Sequence, residues 1–140
     1  MSTRPPLAAF AGTWRIARRI RDRHAGVTAR FEGTLTFSPH GASLIAVETG
    51  RLHLPGQGAL TAGQRQIWRA EGHFIAVDFA DGRPFHEIAP GPRPRARHHC
   101  PPDLYQGLYD FTRWPLWRLL WRVNGPRKRQ TILSRLVPEN

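Results

Sequence analysis

From residue 13 to residue 37 the chain alternates apolar and polar side chains with a period of two. That period belongs to strands with one dry and one wet face. Trp14 and Ile16 oppose Arg15, and Ile20 continues the apolar set. Gly26 marks a turn; Val27, Ala29, Phe31, Gly33, Leu35 and Phe37 then share a face opposite Thr28, Arg30, Glu32, Thr34 and Thr36. Ser38-Pro39-His40-Gly41 has turn chemistry, and residues 44–54 form a third strand in which Gly50 predicts a bulge or bend. Beyond Pro55-Gly56-Gln57-Gly58 lie strands at 60–70 and 73–79, and Asp81-Gly82 is a hairpin signal before a short strand at 84–88. Pro90-Gly91-Pro92-Arg93-Pro94-Arg95 reads as a proline-rich, mobile loop, after which 105–112, 115–123 and 127–137 complete about nine strands.

Trp114, Trp117 and Trp121 also fit helical spacing, but Trp117, Leu119, Trp121 and Val123 alternate among neighbouring strands, which selects a strand. A helical turn near residues 6–11 is placed to plug one barrel end. Connections of hairpin length predict an all-β chain, a single antiparallel up-and-down β-barrel domain spanning 1–140, whose closure removes exposed strand edges.

At 140 residues the chain is long enough to bury a core, and its 40% apolar and 22% charged content is that of a globular protein. No apolar run reaches the ~18 residues of a membrane helix, and the start has no h-region of a secretory signal. With Cys100 as its one cysteine, the chain is expected to be cytoplasmic, away from membranes. The net charge of +11 raises nucleic acid as a partner. Of the 21 basic residues all but Lys128 are arginine, and they are spread along the sequence. Specific nucleic-acid binding is therefore not expected, and any polyanion binding should be weak and salt-sensitive.

Four motifs occur in order. Phe10-Ala11-Gly12-Thr13-Trp14, followed by Arg18 and Ile20, resembles the Gly-x-Trp start of lipocalin-like and nitrobindin-like barrels, in which the tryptophan closes the floor. The others are Phe79-Ala80-Asp81-Gly82-Arg83-Pro84-Phe85-His86, His99-Cys100-Pro101-Pro102-Asp103-Leu104-Tyr105 and Trp121-Arg122-Val123-Asn124-Gly125-Pro126-Arg127-Lys128. Together they resemble the bacterial and fungal domain-of-unknown-function family 6314 across about residues 10–135. Arg129-Gln130 stand where that family tends to carry Asp-Tyr. The resemblance implies a lipocalin-like, calycin-type barrel and no known activity.

Candidate chemistry concentrates between residues 81 and 128. Tyr105, Gly107, Tyr109 and Phe111 share a strand face; turned inward they line an aromatic cavity with hydroxyls, and otherwise they are core and rim. The candidate ligand-binding residues are Trp14, Arg83, His86, His99, Asp103, Tyr105, Tyr109 and Trp121. His86, His99, Asp103 and Tyr105 flank the proline-rich connection and are expected to converge at one barrel mouth. Arg83 has two readings, a turn residue bonded to Asp81 or a fork for an anionic ligand group. Adjacent His98 and His99 point to opposite faces of a strand, and no second cysteine is present, so no metal site is expected. The nitrobindin-like resemblance admits haem on His86 or His99. A Cys100 thiol nucleophile beside a histidine and a Schiff base at Lys128 lack supporting context. The expected function is small-molecule binding in an apolar or aromatic cavity with a polar mouth. The alternative is a cofactor-free acid–base enzyme using Asp103, Tyr105 and His86; ligand identity and catalysis stay open.

Overall fold

The computed structural model describes residues 3–139. The chain runs through ten antiparallel strands: β1 (Gly12–Asp22), β2 (Val27–His40), β3 (Ser43–His53), β4 (Leu60–Glu71), β5 (Phe74–Phe79), β6 (Pro84–Ile88), β7 (Arg95–Cys100), β8 (Asp103–Arg113), β9 (Leu116–Gly125) and β10 (Lys128–Pro138). Every strand from β1 to β6 and from β7 to β10 pairs with the next in sequence, and β10 pairs with β1. The all-β, up-and-down, lipocalin-like expectation holds. Closure is nearly complete, because the edge strands β6 and β7 face each other without ladder hydrogen bonds. Aromatic side chains fill that seam: Phe85 and Phe79 lie 5.1 and 5.5 Å from the His98 ring.

The strand count needs one correction. Strand β7 occupies what reads in sequence as the return of a mobile loop. Proline cannot donate to a ladder, but its carbonyl accepts. Pro94 and Pro92 accept from the amides of Tyr109 and Phe111 at 3.0 and 2.8 Å, which pins the proline-rich segment along β8. The glycine reading is also refined. Pairing of β2 with β3 continues without slip through Gly33 and Gly50, so no bulge forms there. Those glycines permit close backbone approach instead: a Cβ on Gly33 would sit 2.0 Å from the Thr49 carbonyl oxygen.

The helical turn is present as a 3₁₀ turn at Leu7–Phe10. It inserts Phe10 into one end of the barrel. Arg4 ties the preceding segment across that end by donating to the carbonyls of His73 and Ile88, both at 2.8 Å. No helix among the described residues is long and apolar enough to cross a membrane.

Folding also revises the view of charge. Register sets Arg21, Thr131, Arg122, Gln106 and Arg97 side by side across β1, β10, β9, β8 and β7. Arg30 stands opposite Arg19, and Arg135 opposite Arg118. Arginines distant in sequence thus gather on one outer wall. On the opposite wall Arg69 bonds to Glu71 and Asp78 and Arg83 to Asp81, while Arg118 on the arginine wall is bonded to Asp110. Dispersal along the chain is not dispersal in space, because antiparallel strands bring every second residue of distant segments onto one surface.

Candidate ligand cavity

Strand direction defines the two ends of the barrel. The chain enters at the plugged end, so the turns after β1, β3, β5, β7 and β9 all lie at the other end. At the plugged end Phe10 packs against Phe37, Trp68, Phe111, Trp114 and Trp117 at centroid distances of 5.0–5.8 Å. Trp14 lies in the same floor and donates its indole N–H to the Phe10 carbonyl at 2.9 Å. Above this floor is a cavity of about 240 Å³. Its walls carry Trp68, Phe85, Tyr105, Tyr109, Trp117 and Trp121 among aliphatic side chains, with Arg18, Glu48, Gln64, Gln66, His86 and Ser134 as polar groups.

Local backbone features aim these side chains. In the β5–β6 pair Val77 faces His86 while Asp78 faces Pro84, leaving Phe85 as the extra residue of a bulge. A bulge re-aims the chain, so that neighbouring Phe85 and His86 both line the cavity. Gly107 stands opposite Trp121, where a Cβ would fall 2.7 Å from the indole ring. Its bare backbone is the shelf on which the Trp121 wall rests.

His86 Nε2 and the Tyr109 hydroxyl are 2.8 Å apart. The hydroxyl has no other partner among the described hydrogen bonds, and which atom donates depends on whether the imidazole proton sits on Nε2 or on Nδ1. That Nδ1 and the Trp117 Nε1 are buried without a partner among the described residues. Burial, reinforced by the proximity of His98, lowers the His86 pKa to about 3. Burial likewise pushes the Tyr109 phenol well above its ordinary range. Both groups are neutral near pH 7.

Four of the eight sequence-derived candidates, His86, Tyr105, Tyr109 and Trp121, line the cavity. Trp14 lies below it, in the floor. Arg83 is exposed, bonded to Asp81 at 2.7 Å and stacked on Phe79, the turn arrangement of its two readings. His99 is exposed on β7, because alternation turns its neighbour His98 toward the seam. Asp103 packs over Gly125 and faces Lys128 at 3.5 Å. The expected convergence of four residues at one mouth is corrected for His99, which faces outward, and for Asp103, which does not line the cavity. Strand β7 carries the chain the length of the barrel, so the proline-rich segment and the β7–β8 turn lie at opposite ends. Of the four, His86 and Tyr105 share the cavity wall.

The polar pair Arg18 and Glu48 is absent from the sequence-derived set. Arg18 Nη1 and Nη2 donate to the two Glu48 oxygens at 2.6 and 2.8 Å, and Nε donates to Ser134 Oγ at 2.8 Å. The guanidinium also lies 5.2 Å from the Phe31 ring centre. The signal was present in parity: Arg18 shares the dry face of Trp14, Ile16 and Ile20, and Glu48 that of Leu44 and Ala46. Among the described residues no three His, Cys, Asp or Glu side chains gather as a metal site requires. Of the two histidines considered for haem, His99 faces outward and His86 spends Nε2 on Tyr109.

The fold is similar to that of the S-type phycobiliprotein lyase CPES from Guillardia theta, with a TM-score of 0.67 over 96% of this chain and 90% of that one. At 8% identity the likeness is one of fold. No curated protein matches the chain. The model of the family of unknown function DUF6314 matches residues 10–138, from the plugging Phe10 to the end of the last strand, and the chain belongs to that family.

Proposed function

We propose that this barrel binds a small organic molecule in its aromatic cavity, as a binding protein rather than an acid–base catalyst. The observation that carries the reading is a cavity of about 240 Å³, floored by packed aromatics and walled by aromatic rings with a few convergent polar groups. Small-molecule sites have that composition. Catalysis fits less well. A general base works best with a pKa near the operating pH. His86, at about 3, lies far below it, and Tyr109 is displaced the other way. Asp103 is engaged with Lys128 and does not line the cavity. Exposed, unpaired Cys100 suits a reducing compartment such as the cytoplasm.

Mass spectrometry of the protein as isolated, under native and then denaturing conditions, tests the reading. A low-mass species released on denaturation is expected, or, for protein isolated empty, a change in tryptophan fluorescence with small aromatic compounds. A Soret absorption band, or protein that neither retains nor binds any such compound, would overturn it.

The arginine wall supports weak attraction to polyanions without sequence reading, since it is a strand surface with no groove-fitting helix. Duplex DNAs of unrelated sequence should bind equally, with affinity falling steeply between about 50 and about 200 mM salt. Preference for one duplex that persists at physiological salt would show that the wall reads bases.

A further inference from the structure

We infer that the cavity selects an uncharged aromatic ligand, and that the Arg18–Glu48 pair on its wall sets this selection. The inference rests on the proposed binding function and deepens it. The two side chains come from β1 and β3, reach each other past β2, and both line the cavity with Ser134. Both Glu48 oxygens are occupied by Arg18. The guanidinium has five N–H donors, of which Glu48 and Ser134 take three. Two N–H donors remain, with no net charge behind them. The other polar groups of the lining are the amides of Gln64 and Gln66, the hydroxyls of Tyr105, Tyr109 and Ser134, the indole N–H groups of Trp68, Trp117 and Trp121, and His86, which burial keeps neutral.

A charged ligand would therefore enter a largely apolar pocket with no counter-charge free to meet it, and desolvation of its buried part would count against it. A neutral ring bearing a carbonyl or amide meets no such penalty, and its oxygen is a suitable acceptor for the spare Arg18 donors. Size points the same way, because about 240 Å³ lies below the ~300–1,000 Å³ typical of drug-sized ligands. One or two fused rings are the scale that fits. The ion pair itself is poorly explained by stability, since apolar residues of equal volume commonly serve a core at least as well. On a cavity wall it serves specificity, by rejecting ligands of either sign.

Three probes of matched shape test the inference by calorimetric titration at pH 7.5: 2-naphthamide, 2-naphthoate and 2-naphthylmethylammonium. The wild-type protein is expected to bind the amide at least tenfold more tightly than either ion. Glu48→Gln frees the Arg18 charge and should raise naphthoate affinity relative to the amide by tenfold or more. Arg18→Gln frees Glu48 and should shift preference toward the ammonium. The double variant Arg18→Gln/Glu48→Gln should keep the neutral preference, and the wild-type comparison stands alone if the single variants do not fold. Equal or tighter binding of an ion by the wild-type protein overturns the charge selection, as does an unchanged preference in both single variants. Failure of all three probes to bind overturns the selection of a one- or two-ring aromatic ligand, while the binding function itself is decided by the mass measurement.

Discussion

Replacing Phe10 with alanine is expected to cost about 3–5 kcal/mol of folding stability, the range for truncating a large aromatic side chain in a well-packed core. Phe10 is fully buried and touches five aromatic rings contributed by β2, β4, β8, β9 and the turn before β9. Its removal leaves a void at the one place where the N-terminal segment closes the barrel. The opposing rings belong to a continuous sheet and cannot collapse into that void independently. The exposed Phe74, on β5, is the matched control, and Phe74→Ala should change stability by about 0.5 kcal/mol or less. Urea unfolding at neutral pH measures both. Equal effects for the two substitutions would show that the plug is not integral to the core.

Acid is expected to weaken the protein through His86. Its pKa is about 3 in the folded barrel, against ~6.5 for an unperturbed imidazole in the unfolded chain. Below about pH 6.5 the unfolded chain takes up a proton that the folded chain refuses, so stability falls with pH and continues to fall toward about pH 3. Each pH unit in that window is worth ~1.4 kcal/mol, so the drop from about pH 6.5 to about pH 4.5 is on the order of 2–3 kcal/mol. His86→Gln keeps a neutral hydrogen-bonding group beside Tyr109 and should remove most of that slope. Asp110, which Thr112 and Arg118 hold down at about 2, adds its own loss only at lower pH and equally in both proteins. Urea midpoints across the window decide the matter, and parallel curves for the two proteins would sink the assignment.

Much of the fold could be read locally. Period-two alternation identified β1 and β2 and the face each turns inward, and glycine and proline turns separated most of the others. These signals are written within a few residues of one another, because pleat and turn geometry are local properties. Strand β7 escaped, since its entrance is proline-rich and its partner, β8, supplies the N–H donors that its prolines accept. The bulge at Phe85 escaped for the same reason: it is a mismatch between two strands, and neither strand alone records it.

The candidate site divides along the same line. His86, Tyr105, Tyr109 and Trp121 were legible as a dense aromatic and titratable region. His99 was misplaced because alternation along β7 turns its neighbour His98 inward, and Asp103 because it faces Lys128 across the strand end rather than the cavity. Sequence by itself determined that Arg18 and Glu48 lie on the dry faces of their strands. Only the tertiary structure decided that they meet, because β2 lies between them and the curvature of the wall sets the distance across it. The arginine wall arose in the same way, from registers that no single strand contains. Faces follow from alternation along one strand, whereas distances between charges follow from how the sheet closes.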